Sequence, residues 1–237
     1  MHRMNAGSKV NVVRDLRAVL SLGGSVVASP EINLEFVRGF ASLVKRLRGD
    51  GYRLAVVVGG GRVAREYITA ARSLGAEESF CDELGILATR MNARIIIAAL
   101  GEEAYQHVPE SVEEVEEWEK VIVMGGTVPG HTTDAVAAML AAKLKAELLV
   151  NATNVDGIYS ADPRKNPDAR KYDSITVEEL ASLVGEEHRA GISTVLDPKA
   201  VRIIREHRIK TLVIKGELSR IEAALRGGEH LGTEVVV

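Results

Sequence analysis

Two short, mostly apolar runs, each followed directly by glycines, constrain the fold of this chain more than any other feature. Residues 18–22 precede Gly23 and Gly24, and residues 53–58 precede the three glycines of residues 59–61. Such runs are typical of buried strands that lead into tight turns. Between them, apolar residues recur at three- and four-residue steps, which predicts an amphipathic helix. The chain is therefore predicted to begin with a strand, a helix and a second strand.

The same alternation continues to the end of the chain. Apolar spacing predicts further helices at residues 63–74, 84–95, 133–144, 176–184 and 197–207. It predicts further strands at residues 121–124, 147–150, 211–214 and 233–237. Polar composition predicts surface loops at residues 109–120 and 156–173. Strands that alternate with helices are typical of a largely parallel sheet. The predicted fold class is therefore α/β, a three-layer αβα sandwich with a mainly parallel central sheet.

Length and charge limit the number of domains and the class of partner. The chain has 237 residues, 46% of them hydrophobic, which suits one compact domain. We expect this domain at residues 18–237, after a short extension of residues 1–17 that has no secretory signal pattern. The formal net charge of -3 gives no positive field for a phosphate backbone, so nucleic acid is a poor candidate partner.

A single cysteine and short apolar runs predict where the protein works. Cys81 has no second cysteine for an internal disulfide and no neighbouring ligands for a metal site, which fits a reducing cytoplasm. The longest apolar runs, residues 95–100 and 135–142, fall short of the roughly 20 residues that span a bilayer. We therefore expect a cytoplasmic protein without a membrane span and without a protein-built metal site.

The second glycine cluster, GGGRVAR at residues 59–65, predicts an anion-binding turn. Its backbone amides and the start of the following helix can face a phosphate, and Arg65 adds a charged fork. The same residues fit the dinucleotide pattern G-x-G-x-x-A, so a nicotinamide-dependent enzyme is the competing interpretation. That pattern needs an acidic residue at the end of the next strand, but the available Glu77, Glu78 and Asp82 fall between two predicted helices. The chain also lacks the G-x-x-x-x-G-K-[ST] phosphate loop.

Three further segments sharpen the prediction: LGGS at residues 22–25, GGTVPGHTTDA at 125–135 and NATNVDGIYSADP at 151–163. Together with GGGRVAR, they resemble the amino-acid kinase superfamily and, most closely, its archaeal-type uridylate kinases. The resemblance extends from about Val19 to the end of the chain. It implies an αβα fold with an eight-stranded, mainly parallel sheet, ATP with Mg²⁺ as phosphoryl donor, UMP as acceptor, and a homohexamer.

The resemblance also implies roles for individual residues. The ATP phosphates would meet Gly24, Ser25, Gly61 and Arg65, and the adenosine would meet Thr153, Asn154, Tyr159 and Asp162. UMP would contact Gly60, Asp82, Thr127, Val128, Pro129, Gly130, His131, Thr132 and Thr133. Arg65 and Asp134 would be catalytic, with Asp134 organising the groups around the transferred phosphoryl.

The expected chemistry needs no side-chain base, because a phosphate with a second pKa of about 6 is already largely ionised at neutral pH. His131 is therefore interpreted as a ligand contact. Many members of the superfamily have a lysine two residues before the glycine pair, where this chain has Ser21. Lys199, Arg202 or Lys215 could supply the missing charge, but nothing in the sequence places any of them near the phosphates.

Two alternatives stay open at this point. The first is another small-molecule kinase of the same superfamily, which would act on a carboxylate, a carbamate or isopentenyl phosphate. The second is a catalytically silent nucleotide-binding regulator, which Ser21 at the lysine position makes conceivable. The acceptor loop of residues 127–133 and Asp82 favour UMP over the first alternative.

Overall fold

The computed structural model describes residues 16–28, 31–116, 118–163, 166–186 and 195–237, so most of the predicted extension lies outside the described residues. The described strands form one sheet of seven strands in the order β3-β2-β1-β4-β6-β7-β5. They are β1 Arg17–Leu22, β2 Arg53–Val58, β3 Ile122–Met124, β4 Leu148–Thr153, β5 Ser174–Thr176, β6 Thr211–Lys215 and β7 Thr233–Val236. All neighbouring pairs are parallel except β6 with β7. The predicted mainly parallel sheet is confirmed.

Helices cover both faces of this sheet. They are α1 Gly24–Val27, α2 Leu34–Gly49, α3 Gly61–Ser73, α4 Glu78–Leu100, α5 Thr133–Lys143, α6 Val177–Glu186, α7 Pro198–His207 and α8 Leu218–Arg226. The core is divided by the sheet. Leu20, Leu54 and Val56 pack with α2, α4 and α8, whereas Val19 and Val57 pack with α5, α6 and α7. Successive side chains of a strand point to opposite faces of the sheet. Because the residues on each face are buried and apolar, both faces of this sheet are apolar. The three-layer αβα prediction is confirmed.

The short helix α1 was not predicted, and two further segments also differ from the sequence-based prediction. The helix predicted at residues 176–184 is preceded by a short strand, β5, and begins at Val177. Thr176 ends that strand and also caps the helix, since its hydroxyl accepts from the amide of Glu179 at 3.2 Å and its own amide donates to the Glu179 carboxylate at 3.0 Å. Helix α8 was not predicted, although its apolar residues at positions 218, 221, 224 and 225 have helical spacing.

The family resemblance implied eight strands, and the described residues contain seven. Two long connections, residues 104–121 and 154–173, do not supply an eighth strand among the described residues. Each contains only an isolated bridge, Ala104 with Val121 in the first and Tyr159 with Lys171 in the second. Prolines interrupt both loops, at Pro109 and at Pro163, and a proline has no amide hydrogen to extend a ladder.

Helix α4 is apolar on two faces. Its inner face buries Ala93, Ile96 and Leu100 against the sheet, whereas Phe80 and Met91 are about half exposed on its outer face. By length and composition alone, residues 78–103 form the one helix among the described residues that could cross a membrane. The packing of the inner face on the sheet and the exposed outer stripe together account for that composition.

The strand order places all the sequence motifs at one edge of the sheet. The chain runs from β1 outward to β2 and β3, then returns to add β4 on the other side of β1. In parallel sheets, ligands bind beyond the carboxyl ends of the strands where the order reverses. The carboxyl ends of β1, β2, β3 and β4 lead directly into the four motif segments. The site is expected there.

Candidate active site

The floor of the site consists of two glycine turns in direct backbone contact. A Cβ atom on Gly24 would lie 2.0 Å from the amide nitrogen of Gly61 and 2.6 Å from the carbonyl oxygen of Gly59. Gly61 also has a φ of +64°, a conformation that glycine adopts without strain. The Gly23 amide donates to the Ala152 carbonyl at 2.8 Å, which joins the turn to β4. Only residues without a side chain allow the ends of β1 and β2 to approach this closely.

Helix α3 begins at this floor, and its position weakens the dinucleotide alternative. Gly60 is the N-cap, and Arg65 lies exposed in the second turn. In a dinucleotide fold the acidic partner ends the next strand. Here the next strand, β3, starts only at Ile122, and Asp82 lies in α4.

A first cavity of about 440 Å³ opens beside the start of α3. It brings together most of the residues assigned to the acceptor: Gly60, Asp82, Val128, Pro129, Gly130, His131, Thr132 and Thr133. Gly61 and Arg65, assigned to ATP, also line it. Thr127 does not. Sequence reasoning missed the opposite wall, which Ile68, Gly85, Ile86 and Thr89 form from α3 and α4.

Side chains of α4 hold the acceptor loop, residues 127–133, and the two glycines that precede it. The Asp82 carboxylate accepts from the Gly130 amide at 2.9 Å, and the Thr89 hydroxyl accepts from the Gly126 amide at 2.6 Å. Arg90 donates to the carbonyls of Gly126 and Thr127, both at 3.2 Å. Arg90 was not singled out from the sequence, where nothing distinguishes it from other helical arginines.

A second cavity of about 250 Å³ lies beyond β4. It brings together all four residues assigned to the adenosine: Thr153, Asn154, Tyr159 and Asp162. The Tyr159 hydroxyl donates to Asp156 at 2.8 Å, and this hydrogen bond raises the pKa of Tyr159. Gly24 and Ser25 line neither cavity and lie at the start of α1.

Asp134 lies in the wall between the two cavities. It lines the second cavity, while Thr132 and Thr133 line the first. The Ser21 hydroxyl donates to Asp134 Oδ1 at 2.9 Å, and Asn151 Nδ2 approaches the same oxygen at 3.4 Å. Burial raises the pKa of Asp134 to about 6; the Ser21 hydrogen bond opposes this shift and the charge of Asp197 adds to it.

The first turn of α7 packs against the same wall. Asp197 caps α7 by accepting from the amides of Lys199 at 2.8 Å and Ala200 at 3.1 Å, and it also accepts from the Thr132 hydroxyl. Lys199 Nζ contacts His131 Nε2. Burial and the charge of Lys199 lower the pKa of His131, with Asp197 acting in the opposite direction. The acceptor loop is thus attached to α4 on one side and to α7 on the other.

Two other cavities lie away from the motif segments. One of about 290 Å³ is lined by Tyr105, His107 and Ile122, among others, and one of about 590 Å³ lies near Leu16 and Lys210. No residue of the glycine turns lines either. Among the described residues, no group of three or more His, Cys, Asp or Glu side chains could hold a metal ion.

Fold and site together define an α/β protein of the kind that binds small ligands at the carboxyl edge of its sheet, with one cavity beside the glycine turns and a second that Asp134 lines. The sequence model of the "Amino acid kinase family" matches residues 16–215. The chain belongs to that family, as the sequence motifs indicated.

The proteins similar to this chain include two archaeal uridylate kinases and an aspartate kinase. The uridylate kinase of Methanocaldococcus jannaschii is 50% identical over 206 residues, which cover 85% of this chain and 91% of that protein. The uridylate kinase of Archaeoglobus fulgidus is 46% identical over 93% of this chain and 100% of that protein. Its crystal structure superimposes with a TM-score of 0.83 at 45% identity and covers 93% of this chain and 100% of that one. An aspartate kinase from Synechocystis, 24% identical with a TM-score of 0.72 over 93% of this chain and 40% of that one, shares the fold.

Proposed function

We propose that the protein is a uridylate kinase, which transfers the γ-phosphoryl group of ATP to UMP and gives UDP and ADP in pyrimidine nucleotide biosynthesis. The observation that carries this proposal is the pair of cavities, one lined by the acceptor loop and Asp82, the other by Asp134 and the adenosine segment. Uridylate kinases 46–50% identical over most of the chain support the choice of acceptor.

Phosphoryl transfer of this kind depends on alignment and charge rather than on a base. The oxygen of the UMP phosphate attacks the γ-phosphorus, and ADP leaves on the opposite side. Positioned donors offset the charge that spreads over the transferred group. In this chain Arg65 and the amide groups at the start of α3 line the first cavity, where the acceptor phosphate would lie.

The proposed ATP site uses Gly24, Ser25, Gly61 and Arg65 near the phosphates and the second cavity for the adenosine. Mg²⁺ would enter with ATP and neutralise phosphate charge. Mg²⁺ in kinases is commonly held by substrate phosphates and one or two carboxylates. Asp134, which lines the second cavity, would contribute one such carboxylate. Asp134 would orient the groups around the transferred phosphoryl.

The test offers purified protein ATP, Mg²⁺ and, in parallel, UMP, CMP, AMP and isopentenyl phosphate, and quantifies ADP and each phosphorylated product. Selective formation of UDP is expected. Turnover of isopentenyl phosphate in preference to UMP would support the other kinase of the family and overturn the assignment of Asp82. Binding of ATP and UMP without product would support the silent regulator.

We also propose that the enzyme is a cytoplasmic homo-oligomer, with a hexamer as the expected assembly. Support comes from an exposed apolar stripe on α3 and α4, formed by Tyr67, Leu74, Phe80, Leu87 and Met91, each more than half exposed. Exposed large apolar side chains on neighbouring helices commonly mark a protein interface. Light scattering at micromolar concentration would contradict the proposal if it gave the 25.5 kDa mass of a single chain.

A further inference from the structure

The buried side of α4 carries a polar side chain, Asn92, that hydrophobic packing does not explain. Asn92 is only 6% exposed and lies next to Ala93, which the same helix buries against the sheet. A buried amide side chain costs free energy unless its hydrogen bonds are made. Asn92 makes them with the glycine floor, since its Nδ2 donates to the Gly59 carbonyl at 2.8 Å and to the Gly60 carbonyl at 3.3 Å. The helix is therefore attached to the turn between β2 and α3.

The directions of these two carbonyls determine where two backbone amides point. A peptide unit is planar and trans, so its C=O and its N–H point in opposite directions. The Gly59 carbonyl shares a peptide unit with the Gly60 amide, and the Gly60 carbonyl shares one with the Gly61 amide. Because Asn92 holds both carbonyls, it turns both amides away from itself. Gly60 and Gly61 line the first cavity, where the acceptor phosphate would lie.

These two amides have no acceptor within the described part of the chain. The Gly59 amide donates to the Leu22 carbonyl at 2.8 Å, whereas the amides of Gly60 and Gly61 donate to no described residue. Amides at the start of a helix have no partner within the helix and carry partial positive charge. Such amides bind the oxygens of phosphate groups. The amides that Asn92 orients are thus available for a phosphate.

The Gly60 amide depends on Asn92 more than the Gly61 amide does. Glycines restrict the backbone little, so the peptide unit between Gly59 and Gly60 can rotate unless a hydrogen bond holds it. Among the described residues, the Gly59 carbonyl accepts from Asn92 alone. The Gly60 carbonyl has a second donor, the Ala64 amide at 3.3 Å, which belongs to α3 itself. Loss of the Asn92 side chain would therefore release the Gly60 amide first.

The same side of α4 also holds the segment that would bind the rest of the acceptor. Thr89 accepts from the Gly126 amide and Asp82 from the Gly130 amide. Asn92 follows Thr89 by three residues and Thr89 follows Asp82 by seven, spacings that keep side chains on one side of a helix. One helix therefore fixes both the acceptor loop and the amides that would meet the acceptor phosphate.

We propose that Asn92 is a positioning residue, which holds the Gly59 carbonyl so that the Gly60 amide points at the phosphate of UMP. This inference rests on the proposed kinase function. Asn92 lines neither cavity and acts only through the backbone of the glycine floor. A phosphate held by a fixed amide stays aligned with the γ-phosphorus, and alignment is the main demand of this reaction. Asn92 should therefore matter for UMP and much less for ATP.

The first test compares Asn92→Leu with Thr211→Val. Asn92→Leu removes both donors and suits the apolar side of α4, and kcat/KM for UMP should fall by about 10- to 100-fold, the loss expected for one hydrogen bond to a charged group. The KM for ATP should stay within about threefold. Thr211→Val removes another buried donor, which binds the Ile209 carbonyl at 2.9 Å in β6 and lines neither of the two cavities. This control should match the wild type in kcat/KM, and the melting temperatures of both variants are measured in parallel.

The second test restores the donor by protonation. In Asn92→Asp, a protonated carboxyl can donate to the Gly59 carbonyl, whereas an ionised one can only accept. Burial raises the pKa of such a carboxyl, so the donor should return in mildly acidic solution. From pH 8 to pH 5.5, kcat/KM for UMP relative to the wild type at the same pH should rise by at least about tenfold. The same ratio for Asn92→Leu should stay constant, and the KM for ATP of Asn92→Asp should stay within about threefold at each pH.

The outcomes separate the two proposals. A wild type that forms no UDP overturns the proposed function and, with it, the role of Asn92. A wild type that forms UDP, together with Asn92→Leu at more than a third of its kcat/KM for UMP, overturns the role of Asn92 alone. Equal losses in Thr211→Val, a parallel rise in the KM for ATP, or a ratio for Asn92→Asp that does not change with pH would assign Asn92 a structural role and also overturn the inference. If Asn92→Leu does not fold, the pH profile of Asn92→Asp decides by itself.

Discussion

At the scale of single residues, the glycine floor makes the most direct prediction. Gly24→Ala places a Cβ atom 2.0 Å from the Gly61 amide nitrogen and 2.6 Å from the Gly59 carbonyl oxygen. Both atoms belong to the backbone and cannot rotate away. We expect the substitution to lower the free energy of unfolding by about 1–3 kcal/mol and to abolish most UDP formation, because the two turns must separate. Urea denaturation and an activity assay measure both effects.

Gly49→Ala is the matched control for that variant. Gly49 ends α2, and a Cβ atom there would meet nothing within 4 Å. Alanine also stabilises a helix relative to glycine, so stability should stay the same or rise by up to about 1 kcal/mol. Equal losses in the two variants would show that the close approach of the turns is not what requires glycine at position 24.

Asp134 predicts a dependence of stability on pH. Its pKa is raised to about 6 from an ordinary 3.8, so the folded state binds more protons than the unfolded state between these values. The stabilising contribution is complete below pH 3.8 and is lost as the pH rises through about 6. The total is at most about 3 kcal/mol, and less to the extent that the second cavity admits water.

Asp134→Asn removes this titration while keeping an oxygen for the Ser21 hydroxyl. The melting temperature of the variant, compared with that of the wild type, should rise between pH 4 and pH 8, because only the wild type must ionise a buried carboxyl. UDP formation should fall by at least about 100-fold. A difference in melting temperature that stayed constant across the pH range would refute the raised pKa of Asp134.

At the scale of elements, the capping residue of α7 is predicted to serve both stability and binding. Asp197→Ala removes an N-cap, which should cost about 1–2 kcal/mol, and it releases Thr132 of the acceptor loop. The KM for UMP should therefore rise, by about tenfold if the lost anchor is worth one charged hydrogen bond. Steady-state kinetics and thermal denaturation test the two parts.

Asn33→Ala is the comparison that separates these parts. Asn33 caps α2 by accepting from the Phe36 amide at 3.0 Å, and it lines neither of the two cavities. Its loss should lower stability by about 1 kcal/mol and leave the KM for UMP unchanged. If both caps changed the KM equally, the effect would come from general destabilisation and not from the link between α7 and the loop.

Arg90 makes a further prediction at the scale of the loop and helix α4. Arg90→Met removes the donors that hold the Gly126 and Thr127 carbonyls, so the acceptor loop should lose its orientation and the KM for UMP should rise by about tenfold. Arg94→Met, one turn further along α4 at an exposed position, should have no effect. An unchanged KM in Arg90→Met would show that Asp82 and Thr89 suffice to hold the loop.

At the scale of the whole molecule, the apolar stripe on α3 and α4 predicts how chains associate. Leu87→Lys places a charge in the middle of the stripe and should shift the enzyme to smaller assemblies, as measured by light scattering. Leu231→Lys changes a leucine that is equally exposed, 54% in both cases, outside α3 and α4. Association unaffected by Leu87→Lys would place the interface on another surface.

The sequence by itself determined the layers, most of the elements and the glycine floor. Apolar spacing and glycine turns act over a few residues, so the succession of β1, α2 and β2 follows from neighbouring residues alone. The motif segments likewise indicated which residues would line the two cavities, and the geometry brings most of them together. A strand of three residues, such as β5, is too short for periodicity to reveal.

The tertiary structure alone decided the electrostatics of the site. Ser21 and Asp134 are 113 positions apart, His131 and Lys199 are 68 apart, and Arg90 lies 36 positions from the Gly126 carbonyl that it binds. A pKa or an unpaired charge depends on which distant groups share a wall and how much water they exclude. Local patterns carry no record of those distances, and for this reason Lys199 could be placed beside the acceptor loop only after the sheet had brought α5 and α7 together.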